Sequence, residues 1–545
     1  MNRRLFLRNL SLASAGSMVL AGVPVRLMAG SSRLKMAAAS GNDNVLIFVQ
    51  LHGGNDALNT LIPISQYDTY YNYRANIAIP SSGSRKFISV DNTLAPEDQV
   101  GLHPDMIGFK ELYDQGKATI VQNVGYPDMN MSHFRGRDIV FEGGGATDDY
   151  GSGWMGRFLN HEYPGYPTGY PNDTMTDPIG IEMGNVMSIA FHREEGIPMG
   201  INIQNPEQFY QLITTVGVNP PILYPDSHAG NELRYLMELE KKANQYAGRL
   251  KEAFDNGSNS AVSYPEAYPL SAPEAYLSNP LSGQLKLIAR LLKGGLKTRI
   301  FLCRIGGFDT HGKQVETYDS TLGTHAALLY HLSSAIKAFQ DDMASLGIED
   351  NVLTMTFTEF GRRVYSNGSY GTDHGSATPI FLFGKGLKGG ILGTNPDLNN
   401  LHNGNLVYST DYRQVYTSVV QDWFGASDEA MVATGFDEWV GQRLDLIAGV
   451  SGVRDDLQNP KTGSISCYPN PVINETVVTY FVQQPSAISI RVFSITGREM
   501  KRVETYAGSI GRNEYTIDLG ELKPGQYILE ISNASFKGSV KLIKK

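Results

Sequence analysis

The chain holds 545 residues, 41% of them apolar, with 46 basic and 55 acidic side chains and a formal net charge of −9. That length suits two or three domains with ordinary cores, and an acidic chain without a long basic run excludes the footprint of a nucleic-acid partner. The two cysteines, Cys303 and Cys467, are too few and too distant for a disulfide framework or a zinc ribbon.

Residues 1–40 do not have the pattern of a folded segment. "MNRRLFLRNLSLASAGSMVLAG" opens on paired arginines and continues as a moderately apolar stretch rich in Ala, Ser and Gly. Its apolar run is too short for a bilayer anchor, so an export signal is expected, with a cleavage region near "KMAAASG". No later segment is apolar for long enough to predict a transmembrane anchor.

Five near-continuous apolar runs follow: 44–56, 117–127, "KTRIFLCRIGGFDTH" at 297–311, 351–362 and 378–386. Such runs predict strands covered on both faces. Cys303, inside the third, is expected as a buried thiol. Residues 325–347 carry apolar side chains at helical spacing and end in glycine, which predicts a helix. Strands alternating with helices predict an α/β fold with a doubly wound, mostly parallel sheet over residues 44–450. Ligands of such sheets sit beyond the carboxyl ends of the strands. Asn55-Asp56, Asp309-His311, Glu359 and Asp373-His374 all fall at or beyond predicted strands.

Residues 145–300 are turn-rich, with amphipathic helices expected at 231–254 and 281–295, and are expected as loops and helices inserted over one side of the sheet. A linker at 451–464 leads into residues 465–545. There Ile488, Ile490 and Val492 alternate with polar residues, and Thr496-Gly497 and Pro524-Gly525 mark turns. That pattern predicts a small C-terminal all-β sandwich.

Three resemblances add to this. Arg3-Arg4-Leu5-Phe6-Leu7 resembles a twin-arginine signal, with Asn2 in place of the usual Ser or Thr, which implies the twin-arginine translocase as a partner. "YPNP" (468–471), "VFSITGREM" (492–500), "LKPGQYILEI" (522–531) and the closing "SVKLIKK" resemble the type A sorting domain of the type IX secretion system. This implies passage through the periplasm to the cell surface or the medium by that machinery. "LIFVQLHGGNDALNTLIP" (46–63), "MSHFRGRDIVFEGG" (131–144), "GGFDTHGKQ" (306–314) and "TEFGRRVYSNGSYGTDHGSATPIFLFG" (358–384) resemble the domain-of-unknown-function family 1501, which looks like a branch of the alkaline-phosphatase and sulfatase superfamily. That resemblance implies a metal-assisted hydrolytic site for phosphate or sulfate esters at the carboxyl edge of the sheet. An anionic ester or a glycan is the expected substrate or ligand. The alternative is a non-catalytic surface protein that keeps the fold and binds glycan.

Ester hydrolysis requires a nucleophile, cations for the anionic group and stabilisation of the leaving oxygen. A divalent ion (zinc, calcium or magnesium) calls for carboxylates and imidazoles converging from separate strands. The expected metal ligands are Asp56, Asp309, His311, Asp373 and His374. Asp56 also suits a helix cap. Asp309 and His311, two residues apart, would face one way if the chain there is extended. Ser132, where the superfamily carries its nucleophile, is expected as the nucleophile or as a helix N-cap. Glu359 is a catalytic candidate at the position where phosphatases have Asp-His; Phe360 stands where the imidazole would be. Asn55, His133, Arg135 and Arg362 are expected to bind substrate, Arg362 alternatively pairing with Glu359. His325 is expected near the site, and His331 as a helix-surface or packing residue.

Overall fold

A single strand organises the main fold. Along Val45–His52 (β1), Leu46 and Phe48 enter one core, while Ile47, Val49 and Leu51 enter another. Alternation along a strand sends successive side chains to opposite faces, so apolar residues at both parities require cover on both. The computed structural model that shows this describes residues 43–204, 246–448, most of 465–545 and the backbone of a short hairpin within 17–26. The paired arginines, the cleavage region, the first part of the helix expected at 231–254 and the linker 451–464 lie outside the described residues.

After β1 come β2 (Ala118–Gly125), β3 (Gly180–Met183), β4 (Ile201–Ile203), β5 (Ile300–Gly306), β6 (Val352–Phe357), β7 (Thr378–Phe383), β8 (Gly390–Leu392) and β9 (Thr410–Asp411). They form one nine-stranded sheet of order β8-β2-β7-β6-β1-β5-β3-β4, with β9 also on β2. Every pairing is parallel except those of β7, which runs antiparallel to β6 and β2. The five expected strands are all present. The region 145–300 differs from expectation: β3 and β4 belong to the main sheet. Each is only three or four residues long, too short to show a period.

Helices α1 (Tyr67–Arg74), α2 (Ile107–Asp114), α3 (His133–Glu142), α4 (Trp154–Glu162), α5 (Pro280–Lys293) and α6 (Thr324–Leu346) surround the sheet. Phe109 of α2, Leu285 of α5 and Ile336 of α6 pack with Ile47 and Phe301 on one face. Ile139 of α3 and Trp154 of α4 pack with Phe48 and Met355 on the other. Each fully buried Leu, Ile or Phe stabilises the fold by about 1.5–3 kcal/mol. Local signals fix helix ends: Asn279 caps α5 through Leu281 N and Ser282 N, and Gly347 ends α6 at φ 73.

The contacts divide the chain into two compact units, 1–450 and 451–545. In the second, Ile465–Tyr468, Glu475–Val482 and Gly511–Asp518 form one antiparallel sheet, and Ser486–Ser494, Glu499–Ala507, Gly525–Ser532 and Lys537–Lys544 another. Ile488, Ile490 and Val492 are fully buried between them, as their alternation predicts.

Candidate metal centre

Four chain segments meet at one edge of the sheet. In register, β1 ends at His52 opposite Gly306 of β5, and β6 ends at Phe357 opposite Gln50. The loops that follow carry Asp309 and Glu359 over the same edge. Because β7 is antiparallel, its start lies where its neighbours finish. His374, four residues before Thr378, therefore joins them. α3 begins at His133 after β2 and supplies the last group.

Three imidazoles point Nε2 at one oxygen, Asp309 Oδ1: His133 at 3.2 Å, His311 at 3.2 Å and His374 at 3.4 Å. The opposite nitrogen of each ring faces a group that can only accept: Nδ1 of His133 lies 3.0 Å from Glu359 Oε1, that of His311 3.1 Å from Asp373 Oδ1 and that of His374 2.8 Å from the Met131 carbonyl. An acceptor there requires Nδ1–H, which in the neutral ring leaves the lone pair on Nε2. Ligand atoms of His133, Asp309 and His374 all lie within 4.8 Å of one another. His311 stands outside that group but shares its carboxylate.

These residues fit a divalent ion. The Nε2 of His133 is buried and lacks an aligned hydrogen bond despite its 3.2 Å approach to Asp309, so it converges on the carboxylate without bonding to it. Histidines that bind metals commonly donate their other N–H to a carboxylate or carbonyl, as His133 and His374 do. Two imidazoles and a carboxylate suit zinc better than calcium or magnesium, which take oxygen ligands. The bond to Glu359 raises the His133 pKa, whereas burial lowers that of His374. Burial pushes the Asp309 carboxyl up, but Arg362 and the neighbouring histidines outweigh it and hold it below the ordinary range.

Arg362 is the scaffold under this group. Its guanidinium donates to the carbonyls of Gly53, Gly54, Phe308 and Thr372 and to Asp309 Oδ1 at 2.7 Å. It is 1% exposed and fully engaged, so the expectation that it binds substrate or pairs with Glu359 is corrected. Phe360, where an imidazole is missing, packs its ring 4.9 Å from His133 and 4.7 Å from His374. At Gly53, φ is 124 and a Cβ would stand 2.3 Å from Asp309 N, so only glycine lets β1 pass beneath that loop.

Other expected residues are placed differently. Asp56 stands outside the ligand group: it is buried, with both oxygens 2.8 Å from Arg74 Nη1 and Oδ2 also accepting from Gln314 Nε2 at 2.6 Å. Burial raises its pKa, but Arg74, His325 and these hydrogen bonds outweigh it, and the net is lowered. Gln314 Oε1 accepts from Thr310 and Thr372, so Asp56 props the loops that carry Asp309 and His374. Asn55 is fully buried, its Oδ1 on Thr60 and His325, and faces no substrate. Arg135 donates to Glu142 and the Asp148 carbonyl. His133, expected to touch substrate, is instead one of the converging imidazoles. Glu359 is fully buried, accepts from Gly53 N and Thr358 Oγ1 as well as His133, and acts by orienting that ring. Asp309 and His311 are not extended: Thr310 N and His311 N bond back two residues, and the tight turn brings both to the rim. Ser132 is the exposed N-cap of α3, and its hydroxyl makes no cap hydrogen bond. His325 and His331 are buried, on Asn55 and on the Tyr276 carbonyl. Arg74 and Gln314 were missed. No motif marks Arg74, while Gln314 closes the "GGFDTHGKQ" block.

Residues 43–432 match the family described as "Protein of unknown function (DUF1501)", and residues 466–545 match a secretion system C-terminal sorting domain. No curated protein matches. Among solved structures, the chain is similar to the PsFucS1 sulfatase from Pseudoalteromonas sp., at 11% identity and a TM-score of 0.33, covering 90% of this chain and 86% of that one. An alkaline phosphatase from the Antarctic bacterium TAB5 is similar at 10% identity and a TM-score of 0.23, over 72% and 98% of the respective chains. Similarity at this level carries no functional argument. The sorting tail indicates export by the type IX machinery to the cell surface or the medium, and no helix among the described residues is long and apolar enough to cross a membrane.

Proposed function

Because the chain belongs to the DUF1501 family of proteins of unknown function, we propose its chemistry from the site itself: a metal-dependent hydrolase of phosphate or sulfate esters, with the ion held by His133, Asp309 and His374. The observation that carries this reading is the pair of rings fixed by acceptors at Nδ1 and aimed through Nε2 at one carboxylate oxygen. Such an ion, when bound, supplies positive charge for an anionic ester and lowers the pKa of a neighbouring hydroxyl.

The chain's own groups complete the arrangement. Ser132 precedes His133 and keeps its hydroxyl free at the start of a ten-residue helix, the end that favours anions through its N–H groups. It is the candidate nucleophile. His311, oriented by Asp373 and 47% exposed, is the group placed to hold or release a proton at Nε2. Asp56 and Arg362 position the loops. Loading the ion before export fits the twin-arginine route proposed for the N-terminal segment, and lysines in place of Arg3 and Arg4 should then retain the protein in the cytoplasm.

A second reading has one observation in its favour. Arg362 already neutralises Asp309 at 2.7 Å, as a surface protein without activity would also require. Metal analysis of the purified chain, followed by chromogenic phosphate and sulfate esters, decides between them. One tightly bound zinc, lost in Asp309→Ala and His374→Ala together with ester turnover, is expected. Absence of stoichiometric metal would defeat the hydrolase reading, and bound metal without turnover would leave the binding protein.

A further inference from the structure

Glu359 orients His133 through one carboxylate oxygen, and its other oxygen is poorly served. Oε1 accepts from Gly53 N at 2.8 Å and faces His133 Nδ1 at 3.0 Å. Oε2 lies 3.3 Å from Thr358 Oγ1. That hydroxyl has one hydrogen, and the Leu51 carbonyl at 2.7 Å is the nearer acceptor. Oε2 therefore has at most a share of one donor, in a side chain without solvent exposure. Buried polar groups are almost always hydrogen-bonded, and a half-served carboxylate oxygen calls for another donor.

The space beside it can supply one. A cavity of about 20 Å³, counted as room for the centre of a water molecule, adjoins Glu359 and Thr358. One water needs about 10–15 Å³ on that measure. Phe357 and Ile380 form apolar parts of the wall, and two further residues in it are polar. Thr378, 6% exposed, opens β7, where the pairing with β2 shifts register between Thr378 and Ile380. Such bulges re-aim side chains and commonly border functional sites. Tyr416, fully buried, stands on the helix Tyr412–Ser418. Neither Thr378 Oγ1 nor Tyr416 Oη has a hydrogen-bond partner. Burial holds the tyrosine well above its ordinary pKa, so the phenol keeps its hydrogen and can donate it. Two hydroxyls able to donate and one carboxylate oxygen short of a donor supply the three bonds typical of an internal water. An apolar guest would leave all three groups unpaired, and an anion would meet the carboxylate.

We infer that this cavity is a built site for water, and that Tyr416 and Thr378 are positioning residues: the water they hold donates to Glu359 Oε2 and fixes the carboxylate that orients His133. The water site rests on its own groups; its consequence for the ion rests on the hydrolase reading.

The two parts are tested separately. A high-resolution crystal structure of the full chain should show an ordered water about 2.5–3.0 Å from Glu359 Oε2 and from Tyr416 Oη or Thr378 Oγ1. A dry cavity beside well-ordered waters elsewhere would overturn the site. The double variant Tyr416→Phe/Thr378→Val removes both hydroxyls while keeping their shape, and it should lose that water. In metal-free protein labelled with 15N-histidine, at a pH where the ring is neutral, His133 should then move from the Nδ1–H form toward a mixture of both neutral forms. Altered packing at Tyr416 would not by itself produce that signature. Zinc affinity should fall about tenfold, the low end of the cost of losing an outer partner. Thermal melts report on folding, and Tyr416→Phe alone serves if the double variant does not fold. Unchanged ring signals and zinc affinity in a variant that has lost the water would overturn the positioning role. A change in the ring signals of a protein that binds no zinc would sustain the water and its hold on His133 and remove the metal-dependent hydrolase.

Discussion

Nδ1 of His133 lies 3.0 Å from Oε1 of Glu359, which has no solvent exposure. The carboxylate fixes which nitrogen of the ring carries the proton, and hence which one can bind an ion. Glu359→Gln keeps the shape and removes the charge, so zinc affinity should fall about 10–100-fold, the usual cost of an outer carboxylate. Competition with a chromophoric chelator measures it. An unchanged affinity would show that the ring needs no such partner.

Ser132→Ala separates capping from chemistry. Removing a bonded N-cap costs about 0.5–2 kcal/mol, but the Ser132 hydroxyl makes no such bond. Denaturant unfolding should therefore shift by less than about 0.5 kcal/mol. If Ser132 is the nucleophile, ester turnover should fall by orders of magnitude while zinc stays bound. Near-normal turnover would remove the serine from the chemistry.

Asp56→Asn tests the corrected role of that carboxylate. The change leaves Arg74, itself fully buried, without its counter-charge. Breaking such a pair costs about 3–5 kcal/mol, which urea unfolding resolves. Zinc content of the folded fraction should remain at the wild-type level. Its loss would return Asp56 to the ligand set.

His325 makes stability depend on pH. Burial, partly opposed by Asp56, lowers its pKa from 6.5 to about 4. Between those values the unfolded chain binds the proton and the folded chain does not, so stability falls as pH drops through this window, by about 3 kcal/mol in total. His325→Gln should lose less stability than wild type between pH 7 and pH 4.5. Equal losses in thermal unfolding would assign the dependence to other buried groups.

Local pattern carried much of this protein. Apolar runs covered on both faces predicted the five main strands, glycine marked the end of the long helix Thr324–Leu346, and alternation predicted the tail strands. These features depend on near neighbours along the chain, and hydrophobic periodicity records them directly. Short strands such as Ile201–Ile203 left no such trace. The candidate site was legible as a set of polar residues near strand ends, and Asp309, His311 and His374 do gather at one edge.

Tertiary structure alone decided which atoms meet. His133 reaches Glu359 across 226 residues of sequence and Arg362 reaches Gly53 across 309; neither contact has a local signature. Asp56 and Asp309 both follow glycine turns in the sequence and both meet a buried guanidinium, Arg74 and Arg362 respectively, yet Asp309 is also approached by three imidazoles. A side chain's type limits the chemistry it can perform. Whether a carboxylate meets a guanidinium alone or imidazoles as well depends on which distant segments the sheet order and the reversed strand Thr378–Phe383 bring beside it.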